Sequence, residues 1–378
     1  MVKKLRGVIA AIAILSLLSP AAHAQFPSPT YGWNLGNTME PPSGIGTWGN
    51  PAPNQALINS VRSHGFNVIR IPCGWVSNST SGVINPTYMA AVKQVVDWSR
   101  AAGLIVVLNN HWDGGWLDDN QFKTFSSSIN SKVQNVWTQV ANAFKTYDSG
   151  LIFACTNEPH ANDQRGTNFL VQYYQTFVNT VRATGGNNTT RWLLIQGPGG
   201  GDSATTLSYL NTLPTDPTSG RLGIEVHWYA PYQYTLMTAD AHWGYMWYFW
   251  GAGYHSNVLP NRNATSNWEE SYVDSQYQQL QTKYTNSGHP VLVGEFGLIQ
   301  RNTTDNPDLN TGNEPDRARA AVTYWVSQVV GRANAYGHKP CVWDTGSLFD
   351  RNTGAVLDSV SLTVDTGGNP LPPPSGGF

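Results

Sequence analysis

Charge is scarce in this chain. Only 12% of its residues are Asp, Glu, Lys or Arg, and 22 basic against 24 acidic side chains leave a formal net charge of −2. No basic cluster is present, so neither nucleic acid nor a membrane surface is an expected partner, since both are bound largely through Lys and Arg. Cysteine is scarcer still: Cys73, Cys155 and Cys341 cannot all pair, and none stands in a CxxC spacing. Each falls on or just beyond an apolar run that reads as a strand, which suits a buried thiol; one disulfide is the alternative. No run of about 18 unbroken apolar residues exists to cross a membrane. No GxGxxG or GxxxxGK[ST] loop directly follows the first strand, and a His-x-His pair and an HExxH segment are missing. Dinucleotide, phosphate and metal chemistry therefore have no sequence support, and no cofactor is expected.

Aromatic side chains, by contrast, are abundant, with 15 Trp, 17 Tyr and 12 Phe. In a weakly charged chain they suggest a polar, uncharged ligand with apolar faces, a description that sugars fit. The N-terminus has Lys3, Lys4 and Arg6, an apolar run from Val8 to Leu18, then Ala22-His23-Ala24. That is the pattern of a cleaved signal peptide over residues 1–24, so export to the periplasm or beyond is expected. Residues 25–365 have the length of one large α/β barrel, although two small domains would also fit. From Thr366 to Phe378 the composition turns to Gly and Pro, which reads as a linker or free tail.

Apolar runs that read as strands end near residues 34, 70, 109, 156, 196, 228, 294 and 343. Helical spacing is expected over 54–64, 86–102, 128–147, 167–183, 268–284 and 316–334. Eight buried strands, most followed by a helix, predict a parallel sheet covered by helices and hence a (β/α)8 TIM barrel. The rival, a doubly wound open sheet, lacks its phosphate loop.

Two of these strands end in a glutamate. Leu151-Ile152-Phe153-Ala154-Cys155-Thr156-Asn157 runs into Glu158, and Val291-Leu292-Val293-Gly294 runs into Glu295. A carboxylate where a strand leaves the core is costly unless it is paired or useful. A glutamate capping the next helix is the plainer reading of Glu158. In a barrel the strand ends converge on one face, which would gather Arg70, His111, Asn157, Glu158, His227, Tyr229, Glu295 and Trp343. Two carboxylates among such residues match glycoside hydrolysis.

Gly32-Trp33-Asn34-Leu35-Gly36-Asn37, Ile69-Arg70-Ile71-Pro72, Asn109-Asn110-His111, Thr156-Asn157-Glu158-Pro159, Glu225-Val226-His227-Trp228-Tyr229, Gly294-Glu295-Phe296-Gly297 and Trp343, in that order, resemble glycoside hydrolase family 5, the cellulase family of clan A. The likeness runs from about residue 31 to residue 345. It implies a retaining endo-β-1,4-glucanase with Glu158 as acid/base and Glu295 as nucleophile. A mannanase or xyloglucanase of the same family is the alternative, and a non-catalytic sugar-binding barrel or a structural exported protein the more distant ones. The expected partner is a β-linked polysaccharide and the expected state a monomer. One departure is His111-Trp112 where related cellulases often have His-His, which bears on the sugar contact made by Trp112.

The roles also follow physically. Arg70 would lower the pKa of Glu295, Tyr229 would orient it, and the charge of Glu295 would keep a proton on Glu158. Asn157 suits a sugar 2-hydroxyl, His111 and His227 hydroxyls or carboxylates, and Trp343 the floor under the reacting sugar; Asn37 and Trp112 are expected to bind the substrate or support the site. Each has a plainer reading: Arg70 as an interior partner of Glu225, the histidines as satisfied core groups, Trp343 as packing. Glu225 itself reads as a buried supporting carboxylate. Trp243, Trp247 and Trp250, in the long connection after the sixth strand, are expected to contribute one sugar-stacking ring and otherwise to anchor the loop.

Overall fold

All eight apolar runs become parallel strands: β1 Gly32–Leu35, β2 Val68–Ile71, β3 Ile105–Asn109, β4 Leu151–Ala154, β5 Leu193–Gln196, β6 Leu222–Trp228, β7 Val291–Phe296 and β8 Lys339–Asp344. The computed structural model describes residues 26–120 and 122–374; the expected signal peptide lies outside them. The strands pair in sequence order, and β1 closes the barrel by pairing with both β2 and β8, Gly32 facing Val68 on one side and Cys341 on the other. A helix follows each strand: α1 Gln55–Ser63, α2 Pro86–Ala101, α3 Ser127–Phe144, α4 Gln164–Ala183, α5 Ser203–Tyr209, α6 Glu270–Lys283, α7 Glu314–Ala335 and α8 Ser359–Asp365. This is the (β/α)8 barrel that the strand count implied.

Helix boundaries follow local chemistry. Asn54 starts α1 by accepting the Leu57 N–H, and Ser126 starts α3 by accepting the Ile129 N–H. In α3, Val133, Val136, Trp137, Val140 and Phe144 are buried on one face, as their spacing requires.

Alternate residues on a strand point to opposite faces. The inward set forms an apolar layer of Val68, Val107, Ile152, Leu194, Leu292 and Cys341, closing the lower part of the barrel. Two residues further along the same strands stand Arg70, Asn109, Gln196 and Trp343, so the polar layer lies directly above the apolar one at the C-terminal mouth.

Strand β7 breaks this alternation. Val293 faces Val226, but Glu295, not Gly294, faces His227. Gly294 is thus the extra residue of a β-bulge, and the bulge turns Glu295 into the barrel where strict alternation would have turned it out. Glycine is required there, because a Cβ would come within 2.2 Å of Glu225 Oε1. The Asn34 amide, donating to the Gly294 carbonyl at 2.8 Å, holds the bulge from β1.

One expectation is met and one changes. The three thiols are free and buried, so no disulfide forms. The segment after Thr366 is not a free tether as far as Leu371. Leu371 packs on Tyr254, Ala320 and Ala321, donates its N–H to Thr323 Oγ1 at 2.9 Å and accepts the Tyr254 hydroxyl at 3.1 Å.

Candidate active site

At the barrel mouth, Arg70 is fully buried and binds four groups at once. Nη1 lies 2.7 Å from Glu295 Oε1 and donates to Asn34 Oδ1 at 3.0 Å. Nη2 lies 2.9 Å from Glu225 Oε1 and donates to Asn157 Oδ1 at 2.8 Å. Both readings of Arg70, site residue and partner of Glu225, therefore hold together. Burial opposes its charge, but the carboxylates of Glu225 and Glu295 outweigh burial and keep it ionised.

Glu295 receives a second hydrogen bond at Oε2 from the Tyr229 hydroxyl, 3.0 Å away. Burial, with Glu295 nearby, pushes the Tyr229 phenol far up, so it remains a donor. Glu158 projects from the turn after β4 with φ at +50°, a strained setting for a non-glycine residue. Its backbone N–H is held by Gln196 Oε1 at 2.5 Å. One oxygen of Glu158, one oxygen of Glu295 and a ring nitrogen of His227 all lie within 4.8 Å of one another.

His227 Nδ1 is 2.8 Å from Glu158 Oε1, and its Nε2 is 3.3 Å from Glu225 Oε1. Burial would lower the imidazole pKa. The charge of Glu295 and the hydrogen bonds to Glu158 and Glu225 overcome it and lift the value to about 9. The same bond works on Glu158: burial raises its carboxyl, but His227 outweighs that and holds it below the usual range. Glu295 goes the other way, because burial exceeds the lowering by His227 and Arg70. The expected directions of the two carboxyl shifts are thus reversed. In the free site the proton rests on His227 rather than on Glu158, and Glu295 lies above the ordinary carboxylate range in spite of Arg70.

The same three groups have a spacing that a cation could share. Two of them already share a 2.8 Å hydrogen bond, and the guanidinium of Arg70 sits 2.7 Å from the third. Proton and positive charge fill the place a metal would take, which suits an acid/base network better than a metal centre.

His111 is buried, and burial, then the charges of Arg70 and His227, drive its pKa well down, so it is neutral. It is 3.9 Å from Glu295 and lies parallel to the Trp343 indole, with 3° between the planes and ring centroids 5.4 Å apart. Trp343 is half-buried. Asn37 is half-buried with φ at +55°, and its N–H donates to Glu40. Trp112 also has positive φ; it is 38% exposed, faces Trp48 at 6.4 Å and donates its indole N–H to Asp119 at 3.1 Å. Neither Asn37 nor Trp112 is hydrogen-bonded to Glu158 or Glu295; their side-chain and backbone partners are Trp48, Asp119 and Glu40.

Three contributors escaped the sequence reading. Gln196 fixes the Glu158 backbone, and its position two residues beyond buried Leu194 was the signal available. Glu40 is buried, and burial lifts it to about 7 against the hydrogen bonds it accepts from Thr38 and Asn37. Asp118, buried beneath the Asn157–Glu158 turn and hydrogen-bonded to Thr156, is pushed well up by burial. Nothing local marks the last two, since both depend on distant chain covering them.

A cleft of about 490 Å³ opens beside Glu158 and His227 and runs along Asp202, Tyr229, Tyr232 and Trp268. Carboxylates close together above a buried arginine, at the mouth of such a barrel and next to an aromatic cleft, define a glycoside hydrolase. The chain belongs to the cellulase family, glycosyl hydrolase family 5, which it matches over residues 28–347. Within that family it is similar to endo-β-1,4-glucanases. It is 34% identical to endoglucanase A of Paenibacillus barcinonensis, over 86% of this chain and 84% of that protein. It is 31% identical to a xyloglucan-specific endo-β-1,4-glucanase of Bacteroides ovatus, over 88% of this chain and 67% of that one. Among solved structures, a xyloglucan-specific β-1,4-glucanase from a ruminal metagenomic library, in complex with the oligosaccharide XXLG, superimposes with a TM-score of 0.78 at 34% identity, covering 92% of this chain and 96% of the other.

Proposed function

We propose that this chain is an exported endo-β-1,4-glucanase that retains anomeric configuration, with Glu295 as nucleophile and Glu158 as acid/base. The observation that carries the reading is that one oxygen of Glu158, one oxygen of Glu295 and a ring nitrogen of His227 lie within 4.8 Å of one another. A gap of about 5 Å suits direct attack on the sugar, whereas inverting enzymes need roughly 6.5–9.5 Å to admit a water.

Glu295, held by Arg70 and Tyr229, attacks the anomeric carbon as the bond to the leaving oxygen breaks. That oxygen needs a proton. His227 passes one along its 2.8 Å hydrogen bond to Glu158, which delivers it. In the second half Glu158, now anionic, takes a proton from water; the hydroxide equivalent attacks the glycosyl-enzyme, Glu295 leaves, and the proton returns to His227. Asn157, oriented by Arg70, supplies an amide to the 2-hydroxyl of the reacting sugar.

Xyloglucan is the second substrate to consider, because two of the relatives are named for it. The test is a panel of carboxymethyl cellulose, mixed-linkage glucan, xyloglucan and mannan, with the first product followed by proton NMR. An initial β-anomer on a β-glucan supports the reading, and an initial α-anomer overturns it. Export rests on the residue pattern of positions 1–24; a secreted protein whose N-terminus maps near Gln25 supports it.

A further inference from the structure

The connection between β6 and α6 contains Trp243, Trp247 and Trp250, and the structure divides them. Trp250 is fully buried and donates its indole N–H to the Trp268 carbonyl at 2.9 Å, and Trp247 is 8% exposed. These two anchor the loop. Trp243 is 56% exposed and does not share that task. Its ring faces Tyr232, itself 51% exposed, with centroids 6.2 Å apart and 38° between the planes. Tyr232 lines the cleft that also contains Glu158 and His227.

We propose that Trp243 and Tyr232 form a stacking platform for a neutral β-linked glycan at the outer end of the cleft, on the Glu158 side of the bond being cut. The inference rests on the glucanase reading. An exposed indole beside an exposed phenol offers apolar faces with polar edges, which complement the C–H faces and hydroxyl rim of a pyranose. The formal charge along the cleft is confined to Glu158, Asp202 and His227, which suits an uncharged chain.

The two rings are presented by one tied unit. Ala241 and Gly244 exchange backbone hydrogen bonds of 2.9 and 3.1 Å, closing the tip that carries Trp243. Arg262 grips its base through Asp240 at 2.6 Å and reaches Asp308 at 3.0 Å. The Trp247 N–H donates to the Gln233 carbonyl at 3.0 Å, joining this tip to the short helix Tyr232–Thr235. Rings fixed before the ligand arrives lose little entropy on binding. Contact this far from the reacting bond helps long chains more than short substrates.

The experiment compares kcat/KM on a long soluble β-glucan and on a short aryl β-glycoside for wild type, Trp243→Ala, Trp243→Phe, Tyr232→Ala and Tyr245→Ala. Tyr245 is exposed on the same loop but packs against Arg262, so it reports general disturbance of the loop. For Trp243→Ala and Tyr232→Ala the polymer value is expected to fall about tenfold further than the aryl-glycoside value, the scale of one good stacking contact. Trp243→Phe should recover most of it, and Tyr245→Ala should show no polymer-selective loss. Equal losses on both substrates, or a Tyr245→Ala effect as selective as that of Trp243→Ala, would overturn the platform. Wild type that cuts no glycan of the panel sinks the glucanase reading instead. The platform is then read from the retardation of the Glu295→Gln protein in gels containing β-glucan, xyloglucan or mannan. Retardation that Trp243→Ala weakens supports the platform; retardation absent, or unchanged by Trp243→Ala, overturns it.

Discussion

His227 Nδ1 stands 2.8 Å from Oε1 of Glu158, so an imidazole raised in pKa and a carboxyl lowered in pKa share one hydrogen bond. A glutamate that lies below its usual range when alone becomes an acid through a histidine lifted to about 9.

The division of labour between the carboxylates should appear in their amides. Glu295→Gln is expected to lower kcat by about 10⁴-fold or more on every substrate, since nothing else can attack the anomeric carbon. Glu158→Gln should cost about 10²–10⁴-fold on a glucan but far less on an aryl glycoside whose leaving group needs no proton. Rescue of the Glu295 variant by that activated substrate, and not of the Glu158 variant, would reverse the assignment.

His227 makes stability depend on pH. Its pKa is about 6.5 in the unfolded chain and about 9 when folded, so its contribution is complete below pH 6.5 and is lost as pH rises through 9. The shift corresponds to about 3 kcal/mol. Urea unfolding of wild type at pH 6.5 and 9.5 should show the decline, and His227→Gln should flatten that part of the profile. Because Glu295 is raised above 4.5, the acid limb of kcat/KM should lie above that of an ordinary glutamate.

Arg70→Lys is not a mild change here. A single ammonium cannot reach Asn34, Asn157, Glu225 and Glu295 together. The variant should lose about 3 kcal/mol or more of stability, since breaking a buried pair strands its partners, and kcat should fall with it. Retention of wild-type melting temperature and rate would refute this.

Gly294→Ala tests the bulge. The added methyl would meet Glu225 Oε1, so either Glu225 leaves Arg70 or Glu295 leaves its aim. We expect a loss of about 1–3 kcal/mol in thermal melts, typical of an overfilled core, with a larger proportional loss of kcat than of substrate affinity.

Removal of residues 369–378 should lower the melting temperature by about 2 °C, because it deletes the Leu371 contacts with Thr323 and Tyr254. Rates on a short substrate should stay the same. An unchanged melt would mean that the docked segment adds nothing measurable.

Much of this was legible in the chain itself. Buried strands are continuous apolar runs, so their number and order could be read, and with them the barrel. Long helices were visible from their periodicity, but α5 and α8 were not. Each is seven residues long, largely polar, and held by a capping aspartate, Asp202 or Asp358, more than by an apolar face. Positions of Arg70, His227 and both glutamates followed from strand ends, since the barrel brings those ends together.

The sequence by itself determined the fold, the face on which the site would form and the side chains available to it, because periodicity and strand termination are local properties. Ionisation was decided only by tertiary structure. Burial depth and the distance to an opposite charge set a pKa, and for Glu158, His227 and Glu295 both depend on groups as far away in sequence as Arg70 is from Glu295, 225 residues. Tertiary structure also decided which of three similar tryptophans would be left in water, since solvent exposure belongs to the packed loop and not to the residue.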